Sequence, residues 1–178
     1  VDFAIWGLCL GEPNLQHIQD LNKAGVVAFK FFWGYAVDSK THQLIYNYNP
    51  NMKDVIPPLD DGEVYKIFKE VAKTGKIFAI HAENADLIQT LTKQVKESGD
   101  KSYEAFLKTR PNLAEETVIQ TAISFAKDTQ TRLHILHIST KEGVKLVKEA
   151  RDEGYQITSE TCPHFLCLNN KDFEKVGP

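Results

Sequence analysis

The stretch Val26-Val27-Ala28-Phe29-Lys30-Phe31-Phe32-Trp33 carries a single charged side chain, Lys30, in an otherwise apolar run. A run of this length and composition is typical of a strand in a parallel sheet, which is buried on both faces. An ammonium group is costly to bury unless a partner neutralises it or a function uses it. Lys30 therefore indicates that this strand contributes a side chain to a functional site as well as to the core.

Two later apolar runs, equal to each other in length, each end in a histidine. They are residues 77–81 (IFAIH) and residues 133–137 (LHILH). Amphipathic helical patterns lie between the three runs, and repeated strand–helix units predict a parallel sheet, either closed as a barrel or open and doubly wound. The carboxyl ends of parallel strands meet at one edge of the sheet, which in barrel enzymes carries the active site.

The alternation of side chains along a strand predicts which face each polar residue occupies. We expect the Phe-bearing faces of the first two strands to pack on helices, which turns Lys30 and His81 toward the interior of a barrel. The same interpretation turns His137 inward and His134 outward, where we predict a structural role for His134. One lysine and two histidines that converge at one rim predict a metal site, because imidazole is a common zinc ligand.

Each of these residues also has an ordinary explanation when it is taken alone. A single histidine in a strand is more often a satisfied structural residue, and a single buried lysine more often pairs with a carboxylate. The coincidence of three such residues at equivalent strand ends favours the metal site.

Length and composition limit the class of protein. The 178 residues suit one domain with a sizeable core, and we predict a single domain over residues 1–178. The net charge of -3 and the lack of a basic run argue against nucleic-acid binding, and the apolar stretches are too short for a membrane span. Three cysteines without a C-x-x-C spacing argue against a disulfide framework or a zinc ribbon, and predict a reducing cytoplasm.

Two further stretches carry predictions of their own. Residues 34–58 are polar and rich in Asn, Tyr and Pro, which predicts a long functional loop with His42 exposed to solvent. Ser139-Thr140-Lys141-Glu142 has the pattern of a capping box. We therefore expect a helix to begin directly after His137.

Four ordered segments carry a resemblance to a known family. They are residues 25–32 (GVVAFKFF), 80–84 (IHAEN), 136–139 (LHIS) and 160–166 (ETCPHFL). In this order and at these separations they resemble the cyclic amidohydrolases, which include allantoinase, hydantoinase, dihydropyrimidinase and dihydroorotase. Residues 2–7 (DFAIWG) resemble the allantoinase branch in particular. The pair Arg110-Pro111, followed by Glu115-Glu116, is also similar to the family's pattern.

The resemblance implies an α/β fold that is part of a TIM (β/α)8 barrel of the metal-dependent hydrolase type, from about the third to the seventh strand. It implies two divalent metal ions, usually zinc, with Lys30, His81 and His137 among their ligands. Lys30 would be carbamylated by carbon dioxide, which turns the amine into an anionic ligand that bridges both metals. Tyr35 matches a tyrosine thought to polarise the scissile carbonyl, although an ordinary aromatic residue at the loop entrance explains it equally well.

The implied reaction is the opening of a cyclic amide ring, in allantoin or a related ureide, by attack of metal-bound hydroxide. Two alternatives remain within this resemblance: a hydantoinase or dihydropyrimidinase, which Tyr35 favours, and a scaffold relative without metal, which the retained ligands disfavour. An open α/β binding domain is disfavoured because no Gly-rich phosphate loop follows the first strand. The resemblance also implies a homo-oligomer, dimer or tetramer, with a small-molecule substrate and no nucleic-acid or membrane partner.

The sequence departs from the family pattern in two respects. It contains no His-x-His pair, which holds the other metal in the family, and no later strand with an Asp that serves as ligand and general base. The chain therefore resembles the central portion of a longer enzyme, and we expect it to have little or no turnover alone. Glu160 and His164 are expected to shape the last strand rather than to bind metal.

Overall fold

The computed structural model describes residues 1–176, apart from the side chains at positions 173, 174 and 176. The strands are β1 (Trp6–Leu8), β2 (Ala28–Trp33), β3 (Ala36–Asp38), β4 (Leu44–Ile45), β5 (Val55–Ile56), β6 (Ile77–Ala82), β7 (Arg132–Ile135) and β8 (Ile157–Ser159). The helices are α1 (Ile18–Lys23), α2 (Asp61–Ala72), α3 (Ala85–Ser98), α4 (Tyr103–Lys108), α5 (Asn112–Thr129), α6 (Lys141–Asp152), α7 (Pro163–Cys167) and α8 (Asn170–Val176). Within residues 1–176, no helix is both long enough and apolar enough to cross a membrane.

Strands β1, β2, β6, β7 and β8 form one parallel sheet in that order, and each neighbouring pair is connected by helices. In its register, Lys30 of β2 lies beside Ala79 of β6, and Ala79 lies beside His134 of β7. Five parallel strands in sequential order agree with the predicted stretch of a barrel from the third to the seventh strand.

One face of this sheet packs against the helices and forms the main apolar core. Phe29 of β2 and Phe78 of β6 are fully buried there. The ring of Phe78 lies 4.9 Å from the ring of Phe68 in α2. The predicted packing of the Phe-bearing faces on helices is therefore confirmed, and Lys30 and His81 lie on the opposite, inner face.

The orientation of β7 differs from the prediction. Leu133 and Ile135 are buried in the helix-side core, so His134 lies on the inner face, as Lys30 does. Strand β7 ends at Ile135, and His137 has a φ of 35°, a left-handed conformation that interrupts strand geometry. The prediction was wrong because it continued the alternation of a strand through a turn.

Residues 34–58 contain more regular structure than the predicted loop. Strands β3, β4 and β5 pair as a small antiparallel sheet, with β3 in the middle. Its strands are only two or three residues long, which is too short for alternation to reveal them in sequence. His42 is exposed in the turn between β3 and β4, as predicted.

The helix predicted to open in this segment is confirmed as α6, but it begins one residue later than the predicted capping box requires. Thr140 is the N-cap, and its hydroxyl accepts a hydrogen bond from the amide of Gly143. Ser139 instead donates its hydroxyl to the carboxylate of Glu115 in α5. The capping box with Ser139 as its first residue is therefore wrong.

Candidate metal centre

His81 and His137 meet at the carboxyl end of the parallel sheet. Nδ1 of His81 lies 3.0 Å from Nε2 of His137, and the two ring centroids are 4.8 Å apart. His81 reaches this position from the inner face of β6, whereas His137 reaches it from the turn that follows β7. The structure thus brings together two histidines that are 56 residues apart in sequence.

Lys30 lies on the same inner face and is half-buried. Its ammonium group lies 4.3 Å from the centroid of the Phe32 ring, and it forms no ion pair among the side chains that the structure describes. Burial lowers the pKa of Lys30 from 10.5 to about 8, and the charge of Glu160 opposes this shift. The ordinary explanation of a buried lysine, pairing with a carboxylate at contact distance, does not apply here.

The pKa of His137 is lowered from its ordinary value. Desolvation is the main cause, and the nearby charges of His81 and Lys30 act in the same direction. His137 is therefore neutral at pH 7, which is the protonation state in which imidazole binds metals. The influence of Lys30 also places its ammonium group within electrostatic range of His137.

Glu83 contacts the histidine pair from the side opposite His137. Its Oε2 lies 3.3 Å from Nε2 of His81, and its Oε1 lies 3.9 Å from Nε of Arg110. The pKa of Glu83 is lowered, chiefly by the hydrogen bond with His81 and further by Tyr35 and Arg110. Metal-binding histidines commonly donate their second ring nitrogen to such a carboxylate, which fixes tautomer and orientation.

Sequence reasoning included Glu83 in a motif but gave it no role. Its position two residues after His81 could have predicted that the two side chains lie on the same face. Side chains that are two apart along a strand share a face, and β6 continues as a strand to Ala82.

Tyr35 lies at the edge of the same cluster. Its ring centroid is 5.0 Å from that of His81 and 5.5 Å from that of Tyr46. Burial, followed by the adjacent Glu83 carboxylate, raises the pKa of the Tyr35 hydroxyl. The hydroxyl is therefore protonated at neutral pH, and it donates its hydrogen bond to the Glu83 carboxylate.

Gly34 explains why Tyr35 can reach this cluster. Gly34 has a φ of 93°, and a Cβ atom at this residue would lie 2.2 Å from the carbonyl oxygen of Glu83. Only a glycine allows the loop after β2 to approach the loop after β6 so closely.

The other histidines lie outside the pair. Nδ1 of His134 lies 2.7 Å from the hydroxyl of Thr158, and its Nε2 lies 3.5 Å from Glu160. These partners agree with the predicted structural role of His134, although it faces inward. His164 lies in α7, with its ring centroid 4.4 Å from that of Phe165.

The cluster offers two ready metal ligands rather than a complete site. Among the described residues, no three His, Cys, Asp or Glu side chains are grouped so that they could hold a metal ion. Two nitrogens on one tetrahedral zinc ion, each at about 2.0–2.1 Å, are separated by about 3.3 Å. The 3.0 Å between His81 Nδ1 and His137 Nε2 is close to this value. The pair therefore fits one cation, and Lys30 could complete the ligand set only after chemical modification.

Comparison with known proteins supports the predicted resemblance over the whole chain. An allantoinase of Enterococcus faecalis is 38% identical over 178 residues, which are 100% of this chain and 37% of that protein. An L-hydantoinase of Paenarthrobacter aurescens is 36% identical over 179 residues, which cover 100% of this chain and 35% of that protein. The chain thus spans little more than a third of the length of these relatives. No protein-family model matches the chain.

Solved structures give the same result for the fold. The L-hydantoinase (dihydropyrimidinase) from Arthrobacter aurescens has a TM-score of 0.83 and 34% identity, and the match covers 100% of this chain and 36% of that one. A dihydroorotase from Campylobacter jejuni has a TM-score of 0.57 at 11% identity, which is a likeness of fold alone. The predicted resemblance to the cyclic amidohydrolases and the partial TIM barrel are confirmed.

Proposed function

We propose that this chain contributes one side of the active site of a metal-dependent hydrolase that opens the ring of allantoin or a related ureide. The observation that carries the proposal is the 3.0 Å approach of His81 Nδ1 to His137 Nε2, within electrostatic range of Lys30, which forms no ion pair with the described side chains. Relatives named allantoinase and L-hydantoinase support the reaction class, the hydrolysis of a cyclic amide.

In this proposal His81, His137 and carbamylated Lys30 would hold a divalent metal, and zinc is the first candidate. Carbamylation requires a neutral amine, which attacks carbon dioxide and then loses a proton to give an anionic carbamate. A lysine with a pKa of about 8 has a much larger neutral fraction at physiological pH than an exposed lysine. A metal bound here supplies a Lewis acid and lowers the pKa of water toward neutrality. The Lys30 carbamate would supply the oxygen ligand of this site.

The remaining residues orient the reacting groups. Tyr35 would transfer its hydrogen bond from Glu83 to the carbonyl oxygen of the ring amide, and its raised pKa keeps the donor protonated. Glu83 accepts a hydrogen bond from His81 Nε2 and fixes the ring with Nδ1 facing His137, where the two nitrogens would hold the metal. Arg110 balances the charge of Glu83 and packs on the ring of Phe106, 4.8 Å from its centroid.

A hydantoinase or dihydropyrimidinase is the second candidate, because Tyr35 lies at the cluster and one similar structure carries both of these names. Comparison of kcat/KM for allantoin, hydantoin and dihydrouracil, with the complete enzyme that contains this chain, separates the two. We expect allantoin to be preferred at least tenfold. A preference for hydantoin of that size would favour the second candidate.

Several other properties of the chain are part of the proposal. Three ligands without a general base give little or no turnover for residues 1–178 alone, which we treat as one domain of a longer enzyme. The complete enzyme would be a cytoplasmic dimer or tetramer. Normal hydrolysis rates from the purified 178-residue chain would contradict the first of these statements.

Zinc titration of the 178-residue chain by calorimetry tests the metal site directly. We expect one zinc ion per chain in bicarbonate buffer, and an affinity reduced at least 100-fold in His81→Ala and in His137→Ala. Lys30→Ala should weaken binding and remove its dependence on bicarbonate. His42→Ala is the matched control, because His42 is exposed and lies in another loop. Equal affinities in the His42, His81 and His137 variants would refute the site.

A further inference from the structure

We infer that the first two turns of α5 act as a platform that positions His81 and His137 relative to each other, with Glu115 as its central positioning residue. This inference rests on the proposed metal site and adds to it a part that touches no ligand. The segment concerned contains the motif Arg110-Pro111 with Glu115-Glu116, whose pattern had suggested similarity to the family without a role.

Glu115 holds the loop that follows His137. Its Oε1 accepts hydrogen bonds from the amide of Ser139 at 3.0 Å and from the hydroxyl of Ser139 at 3.1 Å. Its Oε2 accepts from the amide of Thr140 at 2.8 Å. Three donors therefore converge on one carboxylate, which lies before the first turn of α6, where a negative charge is favoured.

The same turns of α5 hold the loop that follows His81. The amide of Asn84 donates to the carbonyl of Ala114 at 2.9 Å. The side-chain amide of Asn84 donates to the hydroxyl of Thr117 at 3.1 Å. The two loops that follow His81 and His137 are thus anchored to the first two turns of one helix.

Close packing of α6 on α5 brings the second loop within reach of Glu115. A Cβ atom at Gly143 would lie 2.8 Å from Cδ1 of Ile119 in α5 and 2.7 Å from the hydroxyl oxygen of Thr140. Gly143 thus permits the short distance between the helices. Without this close packing of the two helices, the amides of Ser139 and Thr140 could not donate hydrogen bonds to Glu115 in the first turn of α5.

His137 needs such anchors more than His81 does. His81 is held by strand hydrogen bonds, whereas His137 has a φ of 35°, which a non-glycine residue adopts only when its surroundings impose it. Directly after His137, the amide of Ile138 donates a hydrogen bond to the carbonyl of Glu160 at 2.7 Å. Glu115 supplies the next anchors along the chain, so its loss should release His137 from His81.

The test compares Glu115→Ala and Glu115→Gln with Glu116→Ala in the 178-residue chain. Glu116 is the matched control, because it is also half-buried in the same turn but its side chain makes no hydrogen bond or ion pair in the described part of the chain. Three properties are measured: hydrogen exchange of the Ser139 and Thr140 amides, the nuclear Overhauser contact between the two imidazole rings without metal, and zinc affinity.

We expect Glu115→Ala to accelerate exchange of both amides at least tenfold and to weaken the ring–ring contact. Its zinc affinity should fall about tenfold, the lower end for residues that orient ligands. Glu115→Gln retains one acceptor oxygen and should restore part of each property. A purely structural role would lower the unfolding midpoint of Glu115→Gln without changing the ring contact or the zinc affinity.

The outcomes separate this inference from the proposed function. Unchanged amide exchange and an unchanged ring contact in both Glu115 variants would overturn the platform, whatever the zinc affinity. Absence of zinc binding in the unaltered chain would overturn the metal site, while the exchange and ring measurements still decide the role of Glu115. If Glu115→Ala does not fold, the Gln variant decides: wild-type ring contact and exchange in it overturn the inference.

Discussion

His81 lies within β6 and is held by the regular hydrogen bonds of a strand between two others, whereas His137 lies two residues beyond the end of β7 with a left-handed backbone. Their ring nitrogens nevertheless meet at 3.0 Å. The position of His81 follows from the alternation of one strand. The position of His137 depends on contacts with α5 and with the residue after β8. One strand end is therefore fixed locally and the other by tertiary contacts.

The largest expected effect tests the orientation of β7. Ile135 is fully buried on the helix side, whereas Leu136 is only half-buried. Ile135→Ala should lower the free energy of unfolding by about 3 kcal/mol, because it leaves a cavity in the core. Leu136→Ala should cost about 1 kcal/mol. Urea unfolding measures both, and a larger loss in Leu136→Ala would mean that β7 has the opposite orientation.

The next effect concerns the loop that places Tyr35 beside His81. Gly34→Ala should cost about 2 kcal/mol or more, since a φ of 93° is strained for alanine and its Cβ would meet the Glu83 carbonyl. Gly99→Ala is the control, because it has a similar φ of 72° but open space around its Cβ. The difference between the two variants in thermal unfolding isolates the contact between the loops. Equal losses would mean that the loops do not touch.

The residues in these two predictions show which parts of the site can be predicted from the sequence. Strand alternation predicted the inward faces of Lys30 and His81 because both lie inside regular strands. It predicted the wrong face for His134. It predicted correctly that His137 lies at the site, but as part of a strand, whereas β7 ends at Ile135 and His137 lies in the turn that follows. The role of Glu115 was not predictable from local spacing, since its partners are 24 and 25 residues away and are brought near only by helix packing.

Lys30 extends the comparison to the interior of a strand, because it lies in the middle of β2 and two residues before Phe32, which pairs with His81. There the regular strand carries an energetic cost. Its pKa in the folded protein, about 8, lies below the ordinary 10.5, so the unfolded chain binds more protons between these values. Stability should therefore rise as the pH increases from about 8 to 10.5. Lys30→Met should stabilise the metal-free chain by about 1 kcal/mol at pH 7 in carbonate-free buffer, with solvent screening reducing the full linkage value. Destabilisation at pH 7 would contradict a desolvated ammonium.

The smallest expected effect concerns the titration of His137. The lowered pKa of His137 means that the unfolded state takes up a proton first as the pH falls. Metal-free stability should therefore decrease as the pH falls below about 6.5, the ordinary histidine value. His137→Gln should show a shallower decrease than the unaltered chain. Thermal unfolding between pH 7 and pH 5 measures this, and identical profiles for the variant and the unaltered chain would contradict it.

The central claim is that two histidines with different backbone environments share one cation. X-ray absorption at the zinc edge, on the zinc-loaded 178-residue chain in bicarbonate buffer, tests it most directly. We predict two imidazole nitrogens at about 2.0–2.1 Å together with oxygen ligands. One nitrogen should disappear in His81→Ala and one in His137→Ala. A spectrum with a single imidazole nitrogen, or one that neither substitution changes, would contradict the account.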